Sequence, residues 1–377
     1  MIDDIIAFRH RLHAHPELSG KEQLTHDAIA AYLKRLDPAR LYERAGGFGL
    51  IAVFGAEDAE AVAFRADIDA LPVQETTALS YLSENPGVAH KCGHDGHTAI
   101  LLRLAERLSE LQKEKSLPHT AVLVFQPAEE TGEGSARILE TGILQQYRIR
   151  AFYGLHNLPG VPMGQLLFRY GTFAAASVGI VLHLQGRQTH AAFPEMGINP
   201  GLAAVEILQK VLELNTSPSL TDGGFRQATL VGMRLGKEAF GTSAGDGEVM
   251  FTLRAYTNQA MEKLKEAVLD IAREAAEAYG LKLSVEWREP FHATENADAH
   301  TERLIRIAEK EGFAYHTADV PFRWSEDFAD YLMVYPGAFF GIGSGENSPE
   351  LHHPDYDFPD GIIETAARFF ERLLTQK

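Results

Sequence analysis

Between residues 24 and about 156, short uninterrupted apolar runs alternate with amphipathic segments, and this alternation restricts the fold more than any other feature of the chain. "GLIAVFG", "AVAFRADI", "TAVLVFQ" and "AFYGLHN" read as buried strands, because a strand covered on both faces is apolar at nearly every position. Between them, "LTHDAIAAYLKRL", "HTAILLRLAERLSELQKEK" and "GSARILETGILQQY" read as helices; in the second, Ile100, Leu104, Leu108 and Leu111 recur on one face. Alternating strands and helices predict an α/β fold with a largely parallel central sheet flanked by helices. Polar clusters follow three of the strands, as "ADIDALP", "QPAEETGEG" and "HNLPG". Sheets of this kind carry their sites there, beyond the carboxyl ends of the strands.

A chain of 377 residues is long for a single core, since cores stop growing at about 250–300 residues. The texture changes near Phe173, where "FAAASVGIVLHLQG", "FRQATLVGMRL" and "GEVMFTLRAY" interleave with the helical "NPGLAAVEILQKVLELN" and "QAMEKLKEAVLDIAREAAEAYG". The expected organisation is a first domain formed by residues 1–173 and 289–377, with residues 174–288 inserted as an α+β domain carrying an antiparallel sheet. The edge of that sheet would serve a homo-oligomer.

Acidic residues outnumber Lys and Arg by 52 to 35, and the formal charge of −17 disfavours nucleic acid and anionic membrane surfaces as partners. "MIDDIIAFRHRLHAHPE" lacks the basic start and apolar core of a signal peptide, and no apolar run approaches a membrane span, so a cytoplasmic protein is expected. The single cysteine, Cys92, has no partner for an internal disulfide and is a buried small hydrophobe, a nucleophile or a metal ligand.

Its surroundings favour the ligand. In "HKCGHDGH" Cys92 and His94 are two residues apart, and in an extended loop feeding a helix that starts near His97 both side chains point to one side. Glu129 and Glu130 end the apolar run "TAVLVFQPAEE", where adjacent carboxylates repel and lose hydration unless a cation or a shared proton offsets this. One of the pair suits a metal and the other a general base. His156 ends "YGLH", and His352 and His353 lie in "SPELHHPDYDF" after another apolar strand. Cys92, His94, Glu130, His156 and one of His352 or His353 make five ligands, too many for one tetrahedral Zn²⁺ and suited to two ions sharing a bridge. Thiolate with imidazole suits Zn²⁺, and the carboxylates widen the choice to Mn²⁺, Co²⁺ or Ni²⁺. "GIGSGENS" lacks the Lys-Ser or Lys-Thr ending of a phosphate loop, and His10 and His13 share a helix face at a structural or rim position.

In order along the chain, "LHAHPELSGKE", "FRADIDALPVQE", "HKCGHDGH", "FQPAEE", "GLHNLP", "GRQTHAAFPEMGINP", "SEDFA" and "LHHPDYDF" resemble the dinuclear-metal amidohydrolases and peptidases typified by aminoacylase, carboxypeptidase G and hippurate hydrolase. The hippurate hydrolase and auxin-conjugate hydrolase branch is the most similar. The resemblance implies Cys92, His94, Glu130, His156 and His352 as ligands of two divalent ions, with Cys92 bridging, and Glu129 as general base. It also implies that the inserted domain is a lid, that His190 in "GRQTHAAFP" reaches toward the substrate carbonyl, that Asp69 orients a group of the metal site, and that Asn199 lies on the substrate side. A hinge is expected near Gly171 to Ala176 and Pro290, and Arg254 is assigned no role in the site.

The expected reaction is hydrolysis of an N-acyl or N-aroyl amino acid, with a dipeptidase or aminopeptidase as the alternative and a non-catalytic metal- or ligand-binding protein as the third reading. One segment departs from the pattern. "GTSAGDGEV", residues 241–249, replaces an Asn-x-x-Pro segment of many relatives, so the specificity of the best-known members does not carry over.

Overall fold

The computed structural model describes residues 2–219 and 224–376. They divide into two compact units: the chain up to Phe173 with Glu295–Asp319 and the residues from Asp327 onward, and Ala174–Thr294 with Val320–Glu326. The expected boundary at 288/289 falls inside a strand, Lys282–Phe291, which explains why the second unit runs on past it.

The first unit begins with helices α1 (Ile2–Ala14) and α2 (Gln23–Arg35) and strands β1 (Arg40–Ala45), β2 (Gly49–Phe54) and β3 (Glu60–Asp67). Next come α3 (His94–Lys113), β4 (Thr120–Gln126), α4 (Gly134–Glu140), β5 (Arg148–Pro159), β6 (Leu166–Phe168) and β7 (Gly171–Ala174). The second unit holds β8 (Ala176–Gln185), β9 (Thr189–His190), α5 (Gly201–Leu212), β10 (Arg226–Leu235), β11 (Thr242–Ser243), β12 (Asp246–Ala255), α6 (Asn258–Ala278) and β13 (Lys282–Phe291). After β14 (Thr294–Asn296) the chain returns to the first unit with α7 (Asp298–Glu311), β15 (Tyr315–Thr317), α8 (Ala329–Val334), β16 (Gly337–Gly345) and α9 (Ile363–Thr375).

The eight-stranded sheet has the order β1-β2-β4-β3-β5-β16-β6-β15. It is parallel through its centre, from β4 across β3 and β5 to β16, and antiparallel where β1, β2 and β4 meet and between β16 and β6. Every residue of β2 and β4 is buried, in keeping with their uninterrupted apolar runs. Leu101, Leu104 and Leu108 of α3 join Phe369, Phe370 and Leu373 of α9 and Phe64, Leu123 and Phe340 of the strands in one core, each side chain contributing roughly 1.5–3 kcal/mol. "GSARILETGILQQY" is not one helix: Gly142 takes a left-handed φ of 70° after α4, and only a 3₁₀ turn, Leu144–Gln146, follows.

In the second unit the four-stranded sheet β10-β12-β8-β13 is antiparallel throughout. Burial alternates along β12. Val249, Phe251 and Leu253 pack with Ile207 of α5 and Leu264 and Val268 of α6. The polar positions carry His183 of β8, within 3.1 Å of Glu248 and 3.6 Å of Glu286. Among the described residues no helix is long and apolar enough to cross a membrane.

Helix α1 is tied to the start of α3 by buried charge. Arg9 donates to Asp95 at 2.9 Å, and His13 bonds Asp95 through Nδ1 and Glu75 through Nε2, both at 2.9 Å. Lys91 also meets Glu75. Burial pushes the His13 imidazole toward neutrality, but its bonds to Asp95 and Glu75 prevail and raise its pKa to about 9. A folded-state pKa above the unfolded value of about 6.5 stabilises the fold fully below that pH and is lost as pH rises through about 9. Urea unfolding should therefore show stability falling by on the order of 2–3 kcal/mol from pH 6.5 to 9, a slope that His13→Gln flattens. An unchanged slope in His13→Gln would assign the pH dependence to another group.

Candidate metal centre

Three strand ends and the start of α3 converge in the first unit. β3 ends at Asp67, and Asp69 follows two residues on. Asp67 bonds His97 Nδ1 at 2.6 Å and is held by Arg65 at 2.6 Å. Asp69 reaches His94 Nδ1 at 3.1 Å and accepts from Ser19 Oγ (2.7 Å) and the Glu130 backbone N–H (3.1 Å). One carboxylate thus fixes both the His94 ring and the turn carrying Glu130.

Cys92 and His94 share a side for a different reason from the extended loop expected. Gly93 takes a left-handed φ of 97° and precedes α3, so His94 is already the first helical residue. The helix starts three residues before His97 because its first turn faces polar groups and shows no apolar period. A Cβ on Gly93 would stand 2.6 Å from the Asn157 side-chain oxygen. Gly93→Ala should therefore destabilise the fold by roughly 1–3 kcal/mol and lower metal content, read by denaturant unfolding and metal analysis on one sample. Wild-type stability and metal content in that variant would contradict the close packing argued here.

Cys92 Sγ lies 3.4 Å from His156 Nε2 and 3.4 Å from His352 Nε2. His156 lies within β5, which runs on to Pro159 instead of ending at the histidine as expected; it donates through Nδ1 to the Asn157 carbonyl at 2.8 Å, which leaves Nε2 toward the sulfur. His352 has a positive φ of 65° and donates its backbone N–H to the Lys91 carbonyl at 2.8 Å; its ring stands 3.7 Å from Glu130 Oε1. His353 turns instead to Asp355, at 3.9 Å. Glu129 and Glu130 follow Ala128, a non-glycine residue at φ 54° whose N–H is held by buried Glu22 at 2.9 Å. Donor atoms of Cys92, His94 and His156, of Cys92, Glu130 and His352, and of His94, Glu129 and Glu130 each lie within 4.8 Å of one another. Asp67, His94 and His97 form a further such group.

The charges around this cluster suit cations. His94 Nε2 and Glu130 Oε1 are buried, lack hydrogen-bond partners and face each other at 3.7 Å. Burial and the nearby Glu130, Glu129 and Asp67 carboxylates hold the Cys92 thiol well above its usual pKa. Burial raises Glu130 to about 7, whereas His94, disfavoured as a cation by burial, is carried up to about 10 by Asp67 and Asp69. Protons stand in for missing positive charge, and the unpartnered donors fit divalent ions.

His190 and Asn199 belong to the second unit. His190 lies on β9, paired with Thr242 of β11, is exposed, and accepts the Ala192 N–H through Nδ1 at 3.0 Å. Asn199 donates to Ser243 Oγ at 2.9 Å. The divergent segment 241–249 is therefore attached to both residues. Arg254, assigned no role in the site, donates to the Arg323 carbonyl (2.8 Å) and Ser325 Oγ (3.0 Å).

Several residues of the site have no assigned role in the sequence reading. Asp67 is detectable from "RADID", where alternation pairs it with Asp69. Asp327, which receives Arg65, Gln126 and the Ser135 N–H and gives its own N–H to Glu129 at 3.4 Å, has no local signal beyond its place in "SEDFA".

The sequence pattern of Peptidase family M20/M25/M40 matches residues 63–376. The chain belongs to that family. As a member of M20/M25/M40 it is a metal-dependent amidohydrolase that works with two divalent ions. It is 33% identical to an N-acetyl-L-cysteine deacetylase of Bacillus subtilis, over 97% of this chain and 86% of that protein. It is 31% identical to an uncharacterised hydrolase of Staphylococcus haemolyticus, over 99% of this chain and 98% of that one. A crystal structure of a dinuclear metal-binding M20 peptidase from Bacillus subtilis superposes with a TM-score of 0.85 at 28% identity, covering 99% of this chain and 97% of that one.

Proposed function

We propose that this M20/M25/M40 member hydrolyses the amide bond of N-acyl or N-aroyl amino acids, releasing a carboxylate and the amino acid. The observation that carries the reading is the convergence of buried Cys92, His94 and His156 with half-buried Glu130 and the more exposed His352 on a cluster that also holds a second carboxylate, Glu129. Similarity to the N-acetyl-L-cysteine deacetylase supports an N-acyl amino acid as the substrate class.

In this reading Cys92, His94, Glu130, His156 and His352 would hold the two ions, Zn²⁺ or Mn²⁺ with Co²⁺ or Ni²⁺ as substitutes. When bound, the ions supply a water of lowered pKa and a Lewis acid for the carbonyl oxygen. Glu129 takes the proton of the attacking water and returns it to the departing amine. Asp69, bonded to the His94 ring and to the Glu130 N–H, orients both ligands. His190 donates from Nε2 to the developing oxyanion, since Nδ1 accepts the Ala192 N–H and the neutral ring then carries its proton on Nε2. Asn199 shapes the substrate side through Ser243.

Turnover of matched N-acetyl, N-benzoyl and dipeptide substrates, with metal counted on the same sample, tests the proposal. Cleavage of the N-acyl compounds with two ions per chain is the expected result. Turnover confined to dipeptides would replace it with a dipeptidase, and two ions without turnover on any compound would favour a binding protein.

A further inference from the structure

On the first unit, α1 and α2 do not close on each other. They leave a groove of about 530 Å³, within the range of small-molecule sites. Its floor is apolar: Phe8, Leu12 and Tyr32 are buried there. The gap has a cause in the sequence, since α2 lines it with Ala28 and Ala31, whose side chains are too short to fill the space between two helices. Leu24 stands on the lip with 63% of its surface exposed.

The polar rim has one sign. Arg11 and Arg35 line the groove, and no carboxylate does. Arg11 stacks over the Phe8 ring at 5.2 Å and Arg35 over the Tyr32 ring at 4.4 Å, and among the described residues neither guanidinium forms an ion pair. His15, also at the rim, is matched by Glu84 at 3.6 Å. In a chain of net charge −17, two arginines on a groove that no carboxylate lines are a local reversal of the prevailing field. Beyond Tyr32 the groove continues toward Asp4 and Glu106. Glu106 is already engaged by the Tyr32 hydroxyl (2.6 Å) and Arg103 (2.7 Å), whereas the Asp4 carboxylate acts on Arg35 from that side and offsets part of its charge.

We propose that this groove binds an amphipathic carboxylate, with an alkyl or aryl body on the Phe8, Leu12 and Tyr32 floor and its anionic end between Arg11 and Arg35. A neutral apolar ligand would leave both guanidinium groups unmatched, and a small inorganic anion would leave the floor exposed. None of the groove residues belongs to the metal cluster, and the inference does not depend on which amide the enzyme cleaves.

The test is calorimetric titration of the metal-loaded protein with decanoate, and with decyltrimethylammonium as the cation of similar body. Two variants at exposed positions accompany it: Arg11→Ala with Arg35→Ala, which removes the charge, and Ala31→Trp, which fills the space. Decanoate should bind the wild type, with Kd raised at least about tenfold in each variant, and the cation should bind at least about tenfold more weakly. Because the metal centre also attracts carboxylates, a crystal grown with 10-bromodecanoate locates the ligand, and bromine is expected between α1 and α2. Bromine at the metal centre alone, no heat with decanoate at millimolar concentration, or equal Kd values in the wild type and Ala31→Trp would each overturn the proposal. Turnover is not the readout, so loss of the amidohydrolase reading would leave this result unaffected.

Discussion

Glu129→Gln should lose about 10²–10⁴-fold in kcat while retaining two ions per chain. The substitution keeps the shape of the side chain and an oxygen to accept the Asp327 N–H, so the turn after Ala128 and the neighbouring Glu130 have no reason to move. It removes only the basicity needed to take a proton from water and return it to the amine. Both halves of the outcome matter, because a carboxylate whose main role is to hold metal would lose ions together with rate. The measurement is kcat on the best N-acyl substrate beside metal analysis of the same preparation. Retention of more than about a tenth of wild-type kcat would remove Glu129 from the role of base.

Removal of the ions, by chelator or by Cys92→Ala, should abolish turnover and soften the first unit. Asp67, Asp69, Glu129 and Glu130 then gather around His94, with His97 and Arg65 also offsetting Asp67. An ion held at about a thousand times its Kd contributes about 4 kcal/mol to stability, enough to move the thermal midpoint by several degrees. The two treatments differ in reversibility: adding Zn²⁺, Mn²⁺ or Co²⁺ should restore the chelated protein but not Cys92→Ala. Metal affinity should also fall with acidity. Without ions, burial lifts Glu130 to about 7 and the acidic neighbours lift His94 to about 10, so binding must displace protons at neutral pH. Each displaced proton makes the apparent affinity about tenfold weaker per unit of falling pH. A pH-independent affinity, or a Cys92→Ala protein that keeps both ions, would show that Cys92 is not a ligand.

Much of this site is readable in one dimension because the residues proposed as ligands follow uninterrupted apolar runs. β4 is buried at every position, so the carboxylates just after it, Glu129 and Glu130, were bound to lie at a sheet end and to need compensation. His156 follows the apolar run of β5 but the strand continues past it to Pro159, a continuation that "HNLP" does not reveal because Asn and Pro are poor strand formers. The start of α3 at His94 is not legible, because the apolar period begins only at Ile100 and the first turn is committed to polar contacts. The break after α4 is masked by the apolar spacing that continues across Gly142, whose left-handed φ appears only once the chain turns there.

The sequence by itself determined the alternating architecture, the separation into two textures and the chemical inventory of the site, since burial periodicity and residue type are local properties. Only the tertiary structure decided which groups meet. Ala128 is held at φ 54° by Glu22, more than a hundred residues earlier, and Glu129 receives the N–H of Asp327, nearly two hundred residues later. β16 lies parallel to β5 across an intervening unit, and the turn beyond it brings His352 to Cys92. Hydrogen bonding and charge compensation act through space, so whether a residue is an orphan or a partner depends on neighbours that its own segment does not contain.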